Sequence, residues 1–145
     1  MGINKIRNNI EKLAACELIE HQHREIERML LQLEVDKTSL SPKEFAKVLS
    51  EFNDLLFEHF DTEKKFMTEI NYPEKDNHIK AHLDLISKVS NFNKNYNRYI
   101  THETVIEFFE TIKVWFQKHE IKMDRKFDKY TKAWIKRGFN ALNDE

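Results

Sequence analysis

Apolar residues recur at every third or fourth position in four separate blocks, the spacing of amphipathic helices. The first block carries Ile19, His23, Ile26, Leu30 and Leu33, and fades near residues 36–39. The second opens on Ser41-Pro42-Lys43-Glu44, a capping box with proline at the first helical position. It continues through Phe45, Leu49, Phe52, Leu56, His59, Glu63, Phe66 and Ile70, and Asn71-Tyr72-Pro73 breaks it. The third carries His78, His82, Leu85, Val89 and Phe92, then gives way to the polar stretch 93–98. Thr101 is the expected N-cap of the fourth, whose stripe reads Val105, Phe108, Ile112, Trp115, His119, Met123 and Phe127. Connections this short force successive helices to run antiparallel. The predicted fold is all-α, an up-down-up-down four-helix bundle.

The two ends are less regular. Residues 1–15 are mildly helical and polar, and either extend the first helix or pack as an arm. Residues 131–145 hold Trp134 and Ile135 ahead of Gly138, the pattern of a short C-terminal helix with a tail. A length of 145 residues suits a single domain over 1–145. Only two glycines and two prolines are present, which disfavours a sandwich, a Gly-rich nucleotide site or any loop-rich scaffold.

Charge narrows the function classes. With 24 basic and 25 acidic residues the net charge is −1, which argues against a nucleic-acid partner. No apolar run approaches the ~20 residues of a membrane span, and no leader pattern opens the chain. The single cysteine, Cys16, allows no internal disulfide and reads as a small core residue. A cytoplasmic location is the expectation.

The candidate chemistry lies on the apolar stripes. Five of the seven histidines sit there: His23, His59, His78, His82 and His119, with Glu63 beside them. Burying so many polar groups unpartnered would cost several kcal/mol each. A metal compensates directly. His59/Glu63 and His78/His82 are i,i+4 pairs, about 40° apart around a helix, so both members of each pair face inward. Asp124 is five residues past His119, about 140° round an ideal helix. It joins the others only from the stripe's edge, or if the helix widens locally into a π-bulge.

The order of these residues resembles the hemerythrin family: one His on the first helix, HFxxE on the second, HxxxH on the third and HxxxxD on the fourth. Here they are His23, His59-Phe60-Asp61-Thr62-Glu63, His78-Ile79-Lys80-Ala81-His82, and His119 through Asp124. Gln22, Met67, Tyr72-Pro73 and Trp115 are further matches, and the likeness runs from about Ile19 to Phe127. It implies two iron ions. His78, His82 and His119 would hold one, and His23 and His59 the other. Glu63, Asp124 and an oxo or hydroxo group would bridge them. One coordination position would then stay open, on the ion with two histidines. Ile26, Phe60, Trp115 and Phe116 lie close to ligands and would wall the ligand pocket.

The resemblance implies reversible dioxygen binding for transport, storage, delivery or scavenging, with no catalytic residue. The alternative is a di-iron redox enzyme acting on peroxide or nitric oxide, or an iron donor for repair; a zinc-holding or structural bundle is a third. The ferritin-like class needs two Glu-x-x-His motifs, and only Glu20/His23 is present. Glu120 departs from the family by following His119 where isoleucine is usual. Turned toward the open position it would bring charge and water, but one residue past His119 it is expected outward or at the edge.

Overall fold

The computed structural model describes residues 2–95 and 101–143. Among them every regular element is helical and no strand occurs. Helix α1 spans Gly2–Asp36, α2 Pro42–Glu69, α3 Lys75–Asn95 and α4 His102–His119. A five-residue π-helical turn, Glu120–Asp124, runs directly into α5, Arg125–Asn143. Residues 96–98 of the expected polar connection and 144–145 of the expected tail lie outside the described residues.

Local chemistry sets the helix ends. Ser41 is extended (φ −64°, ψ 159°), and its Oγ accepts from the Glu44 amide at 3.2 Å. The same hydroxyl donates to Glu44 Oε1 at 2.9 Å, and Pro42 begins α2. At the far end Asn71 takes φ 53°, a left-handed conformation that asparagine tolerates. The Tyr72 amide then donates to the Met67 carbonyl at 2.9 Å and the Asn71 amide to Thr68 at 3.3 Å, a Schellman closure. Tyr72 and Met67 meet in one apolar cluster, so the turn is sealed by burial as well. Thr101 caps α4, accepting from the Thr104 amide at 3.2 Å.

The helices pack as a bundle. α1 meets α2 and α5, α2 meets α3 and α4, and α3 meets α4. Two apolar clusters result. The larger includes Ile26, Phe52, Leu56, Phe60, Leu85, Ile112 and Phe116; the smaller is Phe66, Met67, Ile70, Tyr72 and Phe127. Fully burying a side chain of this size contributes about 1.5–3 kcal/mol. Between the two clusters, at the level of His59 and Glu63 on α2, the stripe turns polar.

Within α4 the buried face differs from the sequence expectation. Phe109 and Phe116 are buried, whereas Phe108 and Trp115 are only partly so. Each is an adjacent aromatic pair, and period alone cannot choose between neighbours. Phe92 and Phe108 instead stack on each other at 3.9 Å, beside the core.

The ends of the chain form long helices. Residues 2–15 belong to α1 and leave Ile3, Ile6, Ile10 and Leu13 exposed. Thr131 stands inside α5 and starts no new helix, and Gly138 also lies within it. Gly138 allows a close helix crossing, since a Cβ there would lie 2.7 Å from Asn9 Oδ1 on α1.

Candidate metal centre

Five helical segments deliver seven polar side chains to the layer between the clusters. α1 supplies His23, α2 supplies His59 and Glu63, α3 supplies His78 and His82, α4 ends on His119, and the π-turn ends on Asp124. All are buried except His23, whose side chain is 18% exposed.

Their donor atoms form two groups, each drawn together within 4.8 Å: His78, His82, His119 and Asp124 in one, His23, His59 and Glu63 in the other. In the first, His119 Nε2 lies 3.0 Å from His82 Nε2 and 3.1 Å from His78 Nε2. Asp124 Oδ1 is 3.0 Å from both His78 Nε2 and His119 Nε2, and its Oδ2 is 2.9 Å from His23 Nε2. Glu63 Oε1 is 2.9 Å from His59 Nε2 and 3.7 Å from His82 Nε2, and its Oε2 is 3.5 Å from His78 Nε2. Each carboxylate therefore faces both groups. The helix widens where the spacing requires it, and the π-turn carries Asp124 back to the side of His119.

The arrangement fits a metal by a test internal to the structure. His59 Nε2, Glu63 Oε1 and Asp124 Oδ1 are buried with no hydrogen-bond partner, although they stand close to other polar atoms. Buried polar atoms are rarely left so. His119 Nε2 stands about 3 Å from the Nε2 atoms of both His78 and His82, a spacing that suits lone pairs turned to one ion. Donor–metal bonds of about 2.1 Å meeting at right angles set neighbouring donors about 3.0 Å apart, which is the spacing found. Five imidazoles and two carboxylates suit iron or another borderline transition ion better than calcium or magnesium.

Electrostatics keep the ligands ready. Burial, and then the neighbouring His23, push His59 down to about 3; burial and then His119 and His78 push His82 down to about 2. Both are neutral, as ligands must be. Burial and the Asp124 carboxylate raise Glu63 well above the usual range. Burial alone would raise Asp124 too, but the His119, His23 and His78 rings hold it well below. His23, lowered by burial but more strongly raised by Asp124, reaches about 9 in the metal-free protein.

Residues around the ligands fix them in place. The His59 Nδ1–H donates to Gln22 Oε1 at 2.9 Å, which leaves Nε2 free to bind. Gln22 Nε2 in turn donates to Thr62 Oγ1 at 3.1 Å, and Thr62 donates to the Glu58 carbonyl at 3.0 Å. Phe60 lies flat on His82 at 3.9 Å, and Trp115 lies flat on His119 at 4.6 Å. Phe116 packs 5.5 Å from His23, and Ile26 is fully buried.

The cavity that reaches this centre has other walls. About 280 Å³ in volume, it touches Glu63, Asp124 and His23 and is bordered by Glu20, Glu27, Glu120 and Asp128. Ile26, Phe60, Trp115 and Phe116, expected as the pocket wall, do not line it: Phe60, Trp115 and Phe116 pack against imidazoles, and Ile26 is buried in the larger apolar cluster. Glu120 sits at the edge beside His23 and Glu27. Burial and a hydrogen bond with Glu27 push its carboxyl up to about 7. Of the remaining histidines, His21 is exposed, and His102 Nε2 contacts the Lys37 carbonyl.

Sequence reasoning gave no role to the Gln22–Thr62 relay or to Glu27. The signal for Glu27 was present, since His23 and Glu27 repeat the four-residue spacing of His59 and Glu63. Gln22 left only the trace of an amide beside a ligand.

The chain is also similar in sequence to known proteins. The Hemerythrin HHE cation binding domain matches residues 14–128. The bacteriohemerythrin of Campylobacter jejuni is 26% identical over 122 residues, covering 83% of this chain and 91% of that protein. The bacteriohemerythrin of Stenotrophomonas maltophilia is 33% identical over 76 residues, covering 52% and 50% respectively. No solved structure matches the chain significantly. The cluster of imidazoles and carboxylates fits the cation binding that the family's description names, and the chain belongs to the hemerythrin family.

Proposed function

We propose that this chain is one hemerythrin-like domain over residues 1–145, an antiparallel up-down-up-down bundle that binds dioxygen reversibly at a non-haem di-iron centre. His78, His82 and His119 would hold one iron, His23 and His59 the other, with Glu63 and Asp124 shared. The observation that carries this reading is the sharing itself. Each carboxylate approaches imidazoles of both donor groups, as two ions side by side require.

When bound, the iron pair supplies electrons and an open coordination position to dioxygen. The chain's own residues do the rest. Gln22 orients His59. Phe60 and Trp115 cover the three-histidine side, so His78, His82 and His119 are closed to exchange. Phe116 packs beside His23, the one proposed ligand that is not fully buried, and the cavity that reaches His23 would admit a small gas. The absorption spectrum of the reduced protein tests the proposal. A visible charge-transfer band should appear with air and vanish under vacuum. A spectrum indifferent to oxygen, or a band that never reverses, refutes reversible binding.

A second reading is favoured by one observation. Glu120 and Glu27 border an open cavity beside His23, and a carboxyl near neutrality can donate a proton there. This suits reduction of peroxide or nitric oxide. Stopped-flow mixing with peroxide separates the two readings: sustained turnover that collapses in Glu120→Leu supports the enzyme, and its absence supports the carrier.

A further inference from the structure

The cavity between α1 and α5 has a second cluster at its other end. Cys16 and Glu20 are one turn apart on α1, and Asp128 faces them from α5. Donor atoms of the three lie within 4.8 Å of one another. Cys16 is buried, while the carboxylate side chains are 42% exposed, so an ion there would be held at the bottom and reached from the top.

An independent observation marks the same place. Thr131, one turn past Asp128, is 2% exposed, lines the same cavity, and its Oγ1 has no hydrogen-bond partner. Among the described residues five buried side-chain atoms lack partners. Three belong to the central cluster and Thr131 Oγ1 belongs here. The fifth, Asn53 Oδ1 on α2, does not line this cavity, and Thr131 Oγ1 is the orphaned atom whose residue lines it beside Cys16, Glu20 and Asp128.

The geometry points to a third cation site formed by Cys16, Glu20, Asp128 and Thr131, taking a divalent transition-metal ion. One sulfur with two carboxylates and a hydroxyl selects against magnesium and calcium, which prefer oxygen alone. Two pairs of ligands, i,i+4 on α1 and i,i+3 on α5, converge across a helix–helix seam, the usual construction of metal sites in bundles. The cation already present is the Lys132 ammonium, 2.9 Å from Asp128 and 3.7 Å from Glu20. Its side chain is 62% exposed and swings away at little cost. On metal binding the Cys16 thiol gives its proton to solvent as its sulfur takes the ion.

The chain's single cysteine makes the test specific, because a sulfur-to-metal band can arise only from Cys16. Iron-loaded protein titrated with cobalt(II) should bind one further ion per chain with a near-ultraviolet sulfur-to-cobalt band. Cys16→Ser should abolish the band, and Asp128→Asn should weaken binding at least tenfold. Lys132→Met, a change at an exposed position, should tighten it about threefold by removing the competing cation. No band in the wild-type protein, or tighter binding absent in Lys132→Met, overturns the site. The central reading fails separately, through iron content, which this band does not report.

Discussion

Asp124 Oδ1 lies 3.0 Å from His119 Nε2, although the two stand five positions apart on one helical rod. An unbroken α-helix would place these side chains about 140° apart. The π-turn Glu120–Asp124 closes that gap. Deleting the exposed Ile121 removes the surplus residue and restores α-helical spacing. The pair is then four residues apart, the spacing that brings His59 and Glu63 together, so metal should be retained by elemental analysis, whereas one alanine inserted beside Ile121 should cut it by at least half. Ile121→Ala, which keeps the backbone count, should retain full metal and shift stability by no more than about 0.5 kcal/mol.

The ligand histidines are separable from the bystander. His59→Ala and His82→Ala should each lose most bound iron, because both imidazoles are buried against a shared carboxylate. His21→Ala, at an exposed position, should lose none. Equal iron in all three variants contradicts the assignment.

Gln22 holds His59, a proposed metal ligand, by one hydrogen bond. Without its Oε1, the His59 Nδ1–H has no acceptor and the ring is free to turn. Gln22→Leu should weaken iron binding about 10–100-fold while leaving the helical circular dichroism unchanged. A competing chelator titrated against both proteins reads the difference.

The metal-free protein should be most stable between about pH 4.5 and 6.5. Below about pH 6.5, unfolded histidines take up protons that the folded His59 and His82 refuse down to about 3 and 2. Each contributes a loss of about 1.4 kcal/mol per pH unit as pH falls. Glu63, raised by burial, and Glu120, raised to about 7, act in the opposite sense above pH 4.5 and offset the two imidazoles, so the acid loss sets in below about pH 4.5. Above pH 6.5 the unfolded state has released its protons while folded His23 holds one up to about 9, so stability falls again. Thermal melts of apoprotein across pH 3–9 check both limbs. Iron loading should make the acid loss abrupt where protons displace the metal.

The fold and the candidate ligands were legible for one reason: polar residues stood where a helical stripe demanded apolar ones. His59 and Glu63 on an otherwise continuous run from Phe45 to Ile70 are visible without coordinates. The choice between Phe108 and Phe109 was not, because both neighbours are apolar and only packing against α2 and α3 decides it. The cavity's acidic border was also hidden. Glu20, Glu27, Glu120 and Asp128 look like ordinary solvated charges until α1 and α5 are laid side by side. Thr131 was read as the start of a short helix, since Gly138 resembles a stop signal until Asn9 is seen pressed against it.

A helix is a screw of constant pitch, and one added peptide turns every later side chain by about 100°. The rod from His102 to Asn143 is therefore two screws clocked differently: the upstream half meshes with α2 and α3, the downstream half with α1. Neither half can be lengthened through the joint by simple periodicity. A graft or permutation of this rod must carry the five-residue coupling intact, or one of its two neighbours will meet the wrong face.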